Sequence, residues 1–222
     1  MFSAAALLLA DGRFPAGGHA HSGGLEAAVT GGTVRDVDTL GPFLRGRLRT
    51  TGLVTAALAA AACGGDASRW AGLDAEADAR TPSPAQREAS RRQGRALLRA
   101  ARIAWPSAAW DELGRTPHQA IVLGAAAAAA GCTPAEAALI AAYQSVTGPA
   151  SAAVRLLALD PLRVSALLAT LAAEIDDIAR QATLAARAAS GGGAGELPCS
   201  SAPALDLLAE AHARAEVRLF AS

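Results

Sequence analysis

The sequence contains no lysine and no asparagine, so all 20 of its basic residues are arginines. Without lysine, a chain forms no Schiff base and cannot hold the phosphate-binding loop whose pattern ends in Gly-Lys-Ser/Thr. No arrangement of a nucleophile beside a histidine base stands out in the rest of the chain. The sequence therefore predicts a protein that is not an enzyme and is not itself a P-loop GTPase.

Cysteine and aromatic residues are also scarce. The three cysteines, Cys63, Cys132 and Cys199, are widely spaced and include no Cys-x-x-Cys pair. This spacing argues against a disulfide framework or a zinc site, and we expect a reducing, cytoplasmic compartment. Aromatic residues make up 4% of a chain that is 52% hydrophobic and rich in alanine. Such a composition favours closely packed helices with small side chains in one core.

Charge is balanced, with a formal net charge of +0. A neutral chain has no overall field that would attract nucleic acid or a membrane surface, so neither is expected as a partner. The longest apolar run, residues 120–132, is shorter than the roughly 20 residues of a membrane-spanning helix and predicts a buried core helix. Weak charge repulsion also permits self-association, so a homodimer is among the expected assemblies.

Helical patterns cover most of the chain, and no convincing strand alternation is present. Capping residues followed by proline, as in Thr133-Pro134 and Asp160-Pro161, indicate where two helices begin. The pattern predicts an all-α, single-domain bundle over residues 1–222, with a flexible Gly-rich linker at 190–200 and a C-terminal helix and tail at 201–222. The ten predicted helices span residues 2–10, 22–31, 36–62, 66–79, 84–104, 117–131, 133–147, 149–158, 161–189 and 201–216.

A Gly/Pro-rich segment separates the first two helical patterns. Arg13-Phe14-Pro15 predicts an extended entry, and Gly17-Gly18 predicts a left-handed or tightly bent backbone. Ser22 is a candidate cap for the next helix, which places Glu26 near a positive helix N-terminus. We expect Gly18→Val to weaken assembly with partners more than it lowers helicity.

The same segment resembles the N-terminal signature of the urease accessory protein UreF family, through Pro15, Gly17, Gly18, Ser22, Gly24, Leu25 and Glu26. His19 and His21 stand where that family often has aromatic residues. Further similarity follows in family order along the chain, in residues 87–98, Pro117-His118, residues 152–156 and the closing residues 216–222. The segment 147–149 departs from the family, which more often has a polar Ser-Asn type sequence there.

The resemblance implies an all-α protein without catalytic residues or a cofactor of its own. It also implies three partners: a UreD-type protein (UreH in some systems), a UreG-type GTPase that delivers nickel, and apo-urease. The chain would be a scaffold in urease maturation. The residues we predict for partner binding are Pro15, Gly17, Gly18, His19, His21, Ser22, Glu26, Arg91, Arg95, Arg218, Leu219 and Phe220.

Two histidines suggest an alternative function. His19 and His21 would both reach one nickel ion only if the backbone bends suitably, and no third ligand is nearby in the sequence. Their simpler interpretation is that the two rings replace aromatic residues and pack in the turn. The weak candidates for a metal site are therefore these two residues, and a nickel carrier stays as an alternative.

An arginine stripe suggests a third function. Arg87, Arg91, Arg95, Arg99 and Arg102 recur at helical spacing, as in a nucleic-acid-binding helix. The stripe carries no interleaved aromatic residue, and the whole chain is neutral, so a solvated face paired with nearby carboxylates is the simpler interpretation. A face that docks a partner is the second interpretation.

The end of the chain offers charged and apolar anchors. Because glycines precede the last helix, the sequence predicts that this helix reorients freely and that Arg218, Leu219 and Phe220 dock only on a partner. Deleting residues 217–222 would then leave the stability of the body nearly unchanged. Arg155, in an apolar helix, is expected to pair with a carboxylate.

Overall fold

The structure, a computed structural model, describes residues 3–221 and confirms the all-α prediction. No strand occurs in this part of the chain, and the helices pack as one domain. The α-helices are α1 (Ala4–Ala10), α2 (Leu25–Thr30), α3 (Val37–Arg47), α4 (Leu53–Gly64), α5 (Trp70–Ala79), α6 (Pro84–Ala104), α7 (Gln119–Ala129), α8 (Pro134–Leu157), α9 (Pro161–Thr170), α10 (Ala172–Gly192) and α11 (Pro203–Arg214).

A π-helical turn, Leu48–Gly52, joins α3 to α4 without a break. The helix predicted at 36–62 is therefore one continuous helix that contains a π-turn. Between residues 3 and 221 the eleven α-helices thus form ten continuous helices, which equals the predicted number although two of the predicted boundaries differ. Four short 3₁₀ helices, which the sequence patterns did not predict as such, complete the helical structure: Gly18–Ala20, Ala67–Arg69, Ala108–Glu112 and Ala194–Glu196. The predicted helix at 2–10 is α1, and its first residue lies outside the described residues.

Helix α8 runs straight through Pro149, so the predicted break between 147 and 149 is wrong. A proline has no N–H to donate to the carbonyl four residues earlier, which here belongs to Ser145. The Nε of Arg47 donates to that carbonyl oxygen at 3.0 Å instead. A side chain from α3 thus replaces the missing helical bond, and the helix continues.

The helix predicted at 161–189 is wrong in the opposite sense, because it is two helices. Leu171 separates α9 from α10; its N–H donates to the carbonyl of Leu168 at 3.0 Å, a tighter turn than an α-helix makes. Its side chain is fully buried. Burial of this leucine in the core therefore accompanies a helix boundary that no breaker residue indicates in the sequence.

The centre of the molecule is α4, which packs against α7, α8 and α10. All its alanines from Ala56 to Ala62 are buried, so neighbouring helices approach its backbone closely. Gly124 of α7 marks the tightest approach: a Cβ there would lie 2.2 Å from the carbonyl oxygen of Ala59. The scarcity of aromatic residues is thus matched by a core of small side chains.

The segment between α10 and α11 is fastened by an arginine from α5's C-cap. Arg80 donates to the carbonyls of Ala194 at 2.8 Å and Pro198 at 3.0 Å. Leu197 between them is buried. The segment therefore lies at a defined position along the helical bundle in the structure.

Among the described residues, no helix is both long and apolar enough to cross a membrane.

Candidate functional site

Glu26 joins the Gly/Pro-rich loop to the end of the chain. Its carboxylate lies in the first turn of α2, where Ser22 Oγ accepts a hydrogen bond from the Glu26 N–H at 3.2 Å. The carboxylate is buried and accepts two backbone N–H groups, from Leu219 at 2.7 Å and from Phe220 at 3.0 Å. A single acidic side chain thus satisfies two consecutive amides that lie 193 and 194 residues further along the chain.

Other contacts, some of them from α8 and α11, hold the same two segments in place. The N–H of Ala221 donates to the carbonyl of Ala20 at 2.7 Å, and His212 Nε2 lies 3.3 Å from the carbonyl of Phe220. Arg155 of α8 donates to the carbonyl of His19 at 2.8 Å and stacks 4.4 Å from the centre of the Phe220 ring. We call residues 14–26 and 216–221 together the loop–tail face.

These contacts correct two expectations. Phe220 is only 6% exposed and belongs to the core, so the predicted freedom of the tail is wrong. Arg155 binds a carbonyl and an aromatic ring rather than a carboxylate. In contrast, Leu219 is 77% exposed and Arg218 is exposed, so two of the three predicted anchors remain at the surface.

The loop reaches its shape through one of the two expected glycines and two others. Gly17 has a φ of 75°, as predicted, but Gly18 lies in a 3₁₀ turn without a positive φ, and a Cβ there would meet no atom within 4 Å. The expectation for Gly18→Val therefore loses its physical basis. Gly23 and Gly24, with φ values of 63° and 89°, make the second bend. Pro15 is exposed beside the loop's entry.

The two histidines of the loop differ in environment. His19 is exposed, whereas His21 is partly buried. Burial, together with the charges of Arg92 and His19, lowers the pKa of His21 to about 4. His21 is therefore neutral at physiological pH. Neither ring joins a group of three metal-ligating side chains among residues 3–221.

A cavity of about 700 Å³ adjoins the loop–tail face. The loop, the π-turn, α6, α8 and α11 all contribute to its wall. The basic side chains in this wall outnumber the acidic ones among the described residues: Arg47, Arg80, Arg92, Arg155 and Arg218 against Asp11, Glu88 and Asp206. The described residues of the wall therefore carry more positive than negative side chains, although the whole chain is neutral.

Comparison with known proteins shows the family of this chain. A family model described as UreF matches residues 34–172. The chain belongs to the UreF family. It is 50% identical over 218 residues to the urease accessory protein UreF of Mycolicibacterium vanbaalenii, with 97% of each chain covered. It is 50% identical over 216 residues to that of Mycobacterium marinum, again over 97% of each, and 46% identical over 223 residues to that of Mycobacterium tuberculosis H37Rv, over 100% of each.

In this member of the UreF family the arginine stripe of α6 is largely paired with carboxylates. Arg91 contacts Asp74 at 3.0 Å and Asp78 at 2.6 Å, and only 19% of its side chain is exposed. Arg95 contacts Glu88 at 3.5 Å and is about one-third exposed. Arg91 therefore stabilises the helical bundle. Of the two arginines, Arg95 is the more exposed and the more accessible to a partner.

A buried histidine that our sequence interpretation did not assign to a site completes the Arg91 cluster. His118 lies 2.9 Å from Asp78 Oδ1 through Nε2 and 3.0 Å from Ser90 Oγ through Nδ1, and its N–H donates to Asp74. Burial acts to raise the pKa of Asp78, but hydrogen bonds from His118 and Arg91 lower it. The Pro117-His118 pair in family order was the available signal.

Asp74, Asp78 and His118 also have the spacing of metal ligands, since one ligand atom from each lies within 4.8 Å of the others. The four carboxylate oxygens already lie within hydrogen-bonding distance of His118 or Arg91. The guanidinium supplies the positive charge that a metal ion would bring. We therefore interpret the cluster as a structural network that ties α5, α6 and α7 together.

Proposed function

We propose that the chain is a non-catalytic scaffold of urease maturation, which couples a UreD/UreH-type protein to a UreG-type GTPase for nickel insertion into apo-urease. The observation that carries this proposal is the loop–tail face. Two segments that the sequence marked independently as partner-binding lie side by side, held by Glu26. The relatives' description as urease accessory proteins supplies the process in which such a face would act.

The face has the features of a small binding surface on a rigid base. Leu219 and Val217 are 77% and 83% exposed, while the backbone of Leu219 is fixed through its N–H. An exposed side chain on an ordered backbone loses little conformational entropy when a partner covers it. A few such anchors dominate the free energy of most interfaces.

The test is Leu219→Ala, assayed by copurification with a UreD-type partner and by urease activation in cells. Leu219 keeps its N–H bond to Glu26 after this change, so the tail stays in place. We expect partner affinity to fall about tenfold or more, as for an interface anchor. The matched control is Leu162→Ala on α9, where the leucine is 79% exposed and far from the face in the chain.

Equal copurification by Leu219→Ala and Leu162→Ala would show that the side chain of Leu219 does not bind the partner.

A second experiment addresses the nickel-carrier alternative. His19→Phe with His21→Tyr should retain urease maturation, because the rings keep their shape and lose their ligand atoms. Loss of nickel binding together with maturation in this variant would support the carrier instead.

The nucleic-acid alternative receives no support from the described residues. Phosphate binding requires free basic side chains, and each phosphate contact adds to the salt dependence of binding. Along α6, Arg91, Arg95 and Arg102 pair with acidic residues, and Arg87 lies 4.0 Å from Asp78. The face that the stripe would present to a nucleic acid is therefore largely neutralised.

A further inference from the structure

Arg47 lies at the end of α3, immediately before the π-turn, in the wall of the 700 Å³ cavity. Two bonds fix its guanidinium: Nε donates to the carbonyl of Ser145 at 3.0 Å, and Nη1 donates to the carbonyl of Gly23 at 2.9 Å. Nη2 makes no hydrogen bond to any described residue. Every buried side-chain nitrogen among these residues has a partner, so Nη2 is not buried and is open to the cavity that Arg47 lines.

Among the described residues, no carboxylate compensates the charge of Arg47. Both acceptors are neutral carbonyls, and no described carboxylate lies within 4.0 Å of the guanidinium. Burial lowers the pKa of Arg47 to about 10, so the group remains protonated at neutral pH. A partly buried cation without a counter-charge is costly, since its hydration is lost and no ion pair replaces it.

Other cations in the same wall share this property. Arg92 donates to the carbonyl of Ala221, Arg155 donates to that of His19, and neither contacts a described carboxylate within 4.0 Å. Positive charges that are held by neutral acceptors around one cavity raise its potential for an anion. They also lie on the side where the loop–tail face adjoins the cavity.

We propose that the cavity is a carboxylate-binding site in which Arg47 makes the principal contact. A guanidinium nitrogen donates strong, charge-assisted hydrogen bonds to carboxylate oxygens. The single charge of Arg47 matches that of one carboxylate. A carboxylate seated there receives a donor whose orientation two protein bonds already fix, which lowers the entropy cost of binding.

Two sources supply this chemistry: a free small carboxylate, or an Asp or Glu side chain of a bound protein. The first test uses the isolated full chain and acetate, so it does not depend on the function proposed above. The Nε–Hε signal of Arg47 is followed by NMR during an acetate titration, against sodium chloride at equal ionic strength. We expect a saturable shift with acetate and none with chloride.

Variants assign the shift to this site. Arg47→Gln should abolish the saturable response, which is then followed on the backbone amides of Gly23 and Thr51, while Arg163→Gln, at an exposed position on α9, should keep it. Because Arg47→Gln also removes two structural bonds, its fold is checked by circular dichroism, and Arg47→Lys serves as a second variant. The lysine keeps the charge, and we expect acetate binding to weaken several-fold rather than vanish.

The second arm separates the two sources. In the complex with a UreD-type partner, loss of the acetate response would assign the site to a partner's side chain, and a retained response would assign it to a free carboxylate. Sulfate that competes as well as acetate, or a response that never saturates in the isolated chain, would overturn the proposal. An acetate response that survives Arg47→Gln would also overturn it.

Discussion

The side chain of Arg47 supplies a hydrogen bond to a helix carbonyl that a backbone N–H supplies elsewhere in the bundle. Pro149 leaves the carbonyl of Ser145 without its helical donor, and Arg47 Nε supplies one from another helix. A buried carbonyl without a donor costs about 1–3 kcal/mol. The arginine thus explains how a proline is accommodated in the middle of a 24-residue helix.

This explanation predicts energetic coupling between Arg47 and Pro149. Arg47→Met should destabilise the chain by about 1–3 kcal/mol, because the Ser145 carbonyl is left without a donor. In a Pro149→Ala background the alanine N–H restores the helical bond, so the same change should cost at least about 1 kcal/mol less. Urea unfolding of the four proteins gives the coupling free energy.

The double-mutant cycle has a clear negative result. Loss of the bond from Arg47 to Gly23 is common to both backgrounds and cancels in the cycle. Independent sites add within about 0.3–0.5 kcal/mol. A coupling free energy inside that range would mean that Arg47 does not substitute for the missing N–H.

Helices, at the next scale, pack closely because the side chains between them are very small. The approach of α7 to α4 at Gly124 leaves no room for a methyl group, since its Cβ would lie 2.2 Å from the carbonyl oxygen of Ala59 and 2.7 Å from Ala62 Cβ. Such contacts cannot be relieved by rotating a side chain, because one of them is to backbone. The two helices must separate if the glycine is replaced.

We therefore expect Gly124→Ala to lower the free energy of unfolding by about 1–3 kcal/mol, despite the better helix propensity of alanine. The matched control is Gly46→Ala in α3, an exposed helical position where a Cβ would meet no atom within 4 Å. That change should stabilise the chain by about 0.5–1 kcal/mol. Denaturant unfolding measures both, and opposite signs are the expected result.

Local signals predicted helix ends better than helix interiors. The start of α9 follows from Asp160 and Pro161, and Asp160 Oδ1 does accept from the Leu162 N–H at 2.9 Å. The capping box of Thr133 likewise marks the start of α8. The interior errors, at Pro149 and Leu171, arise because tertiary contacts decide them: a donor from α3 in one case and burial in the core in the other.

Several residues of the candidate site were predictable from the sequence, but the contacts that bring them together were not. Glu26, His19 and Leu219 were each singled out from the sequence, but no local pattern shows that a carboxylate will bind amides 193 residues away. Phe220 was misplaced for the same reason, since a terminal aromatic residue resembles an exposed anchor until its neighbours are known. The cavity and Arg47 had no sequence signal that we recognised.

The whole molecule depends on its last residues for stability as well as for its face. Phe220 is buried against the core and under Arg155, and truncation of a buried phenylalanine costs about 3–5 kcal/mol. Deletion of residues 217–222 should therefore lower the melting temperature by about 6–20 °C in a chain of this size. This reverses the expectation from the sequence that the body would be unaffected.

Thermal unfolding of the deletion variant beside Leu219→Ala checks this prediction. Leu219→Ala should melt within about 2 °C of the parent, because exposed positions contribute little. A deletion variant that melts at the parent's temperature would show that the tail adds no stability to the chain. Partner binding and stability are thus measured separately at adjacent residues.

The bond from Glu26 to Leu219 also has a consequence for the order of events during protein synthesis. The loop leaves the ribosome first, and the donors for the Glu26 carboxylate are translated 193 residues later. Throughout that interval Glu26 is hydrated and the loop lacks the bonds that hold it against the tail. The loop–tail face therefore forms only after residue 221 has emerged, so a nascent or prematurely terminated chain does not present it to the other maturation factors.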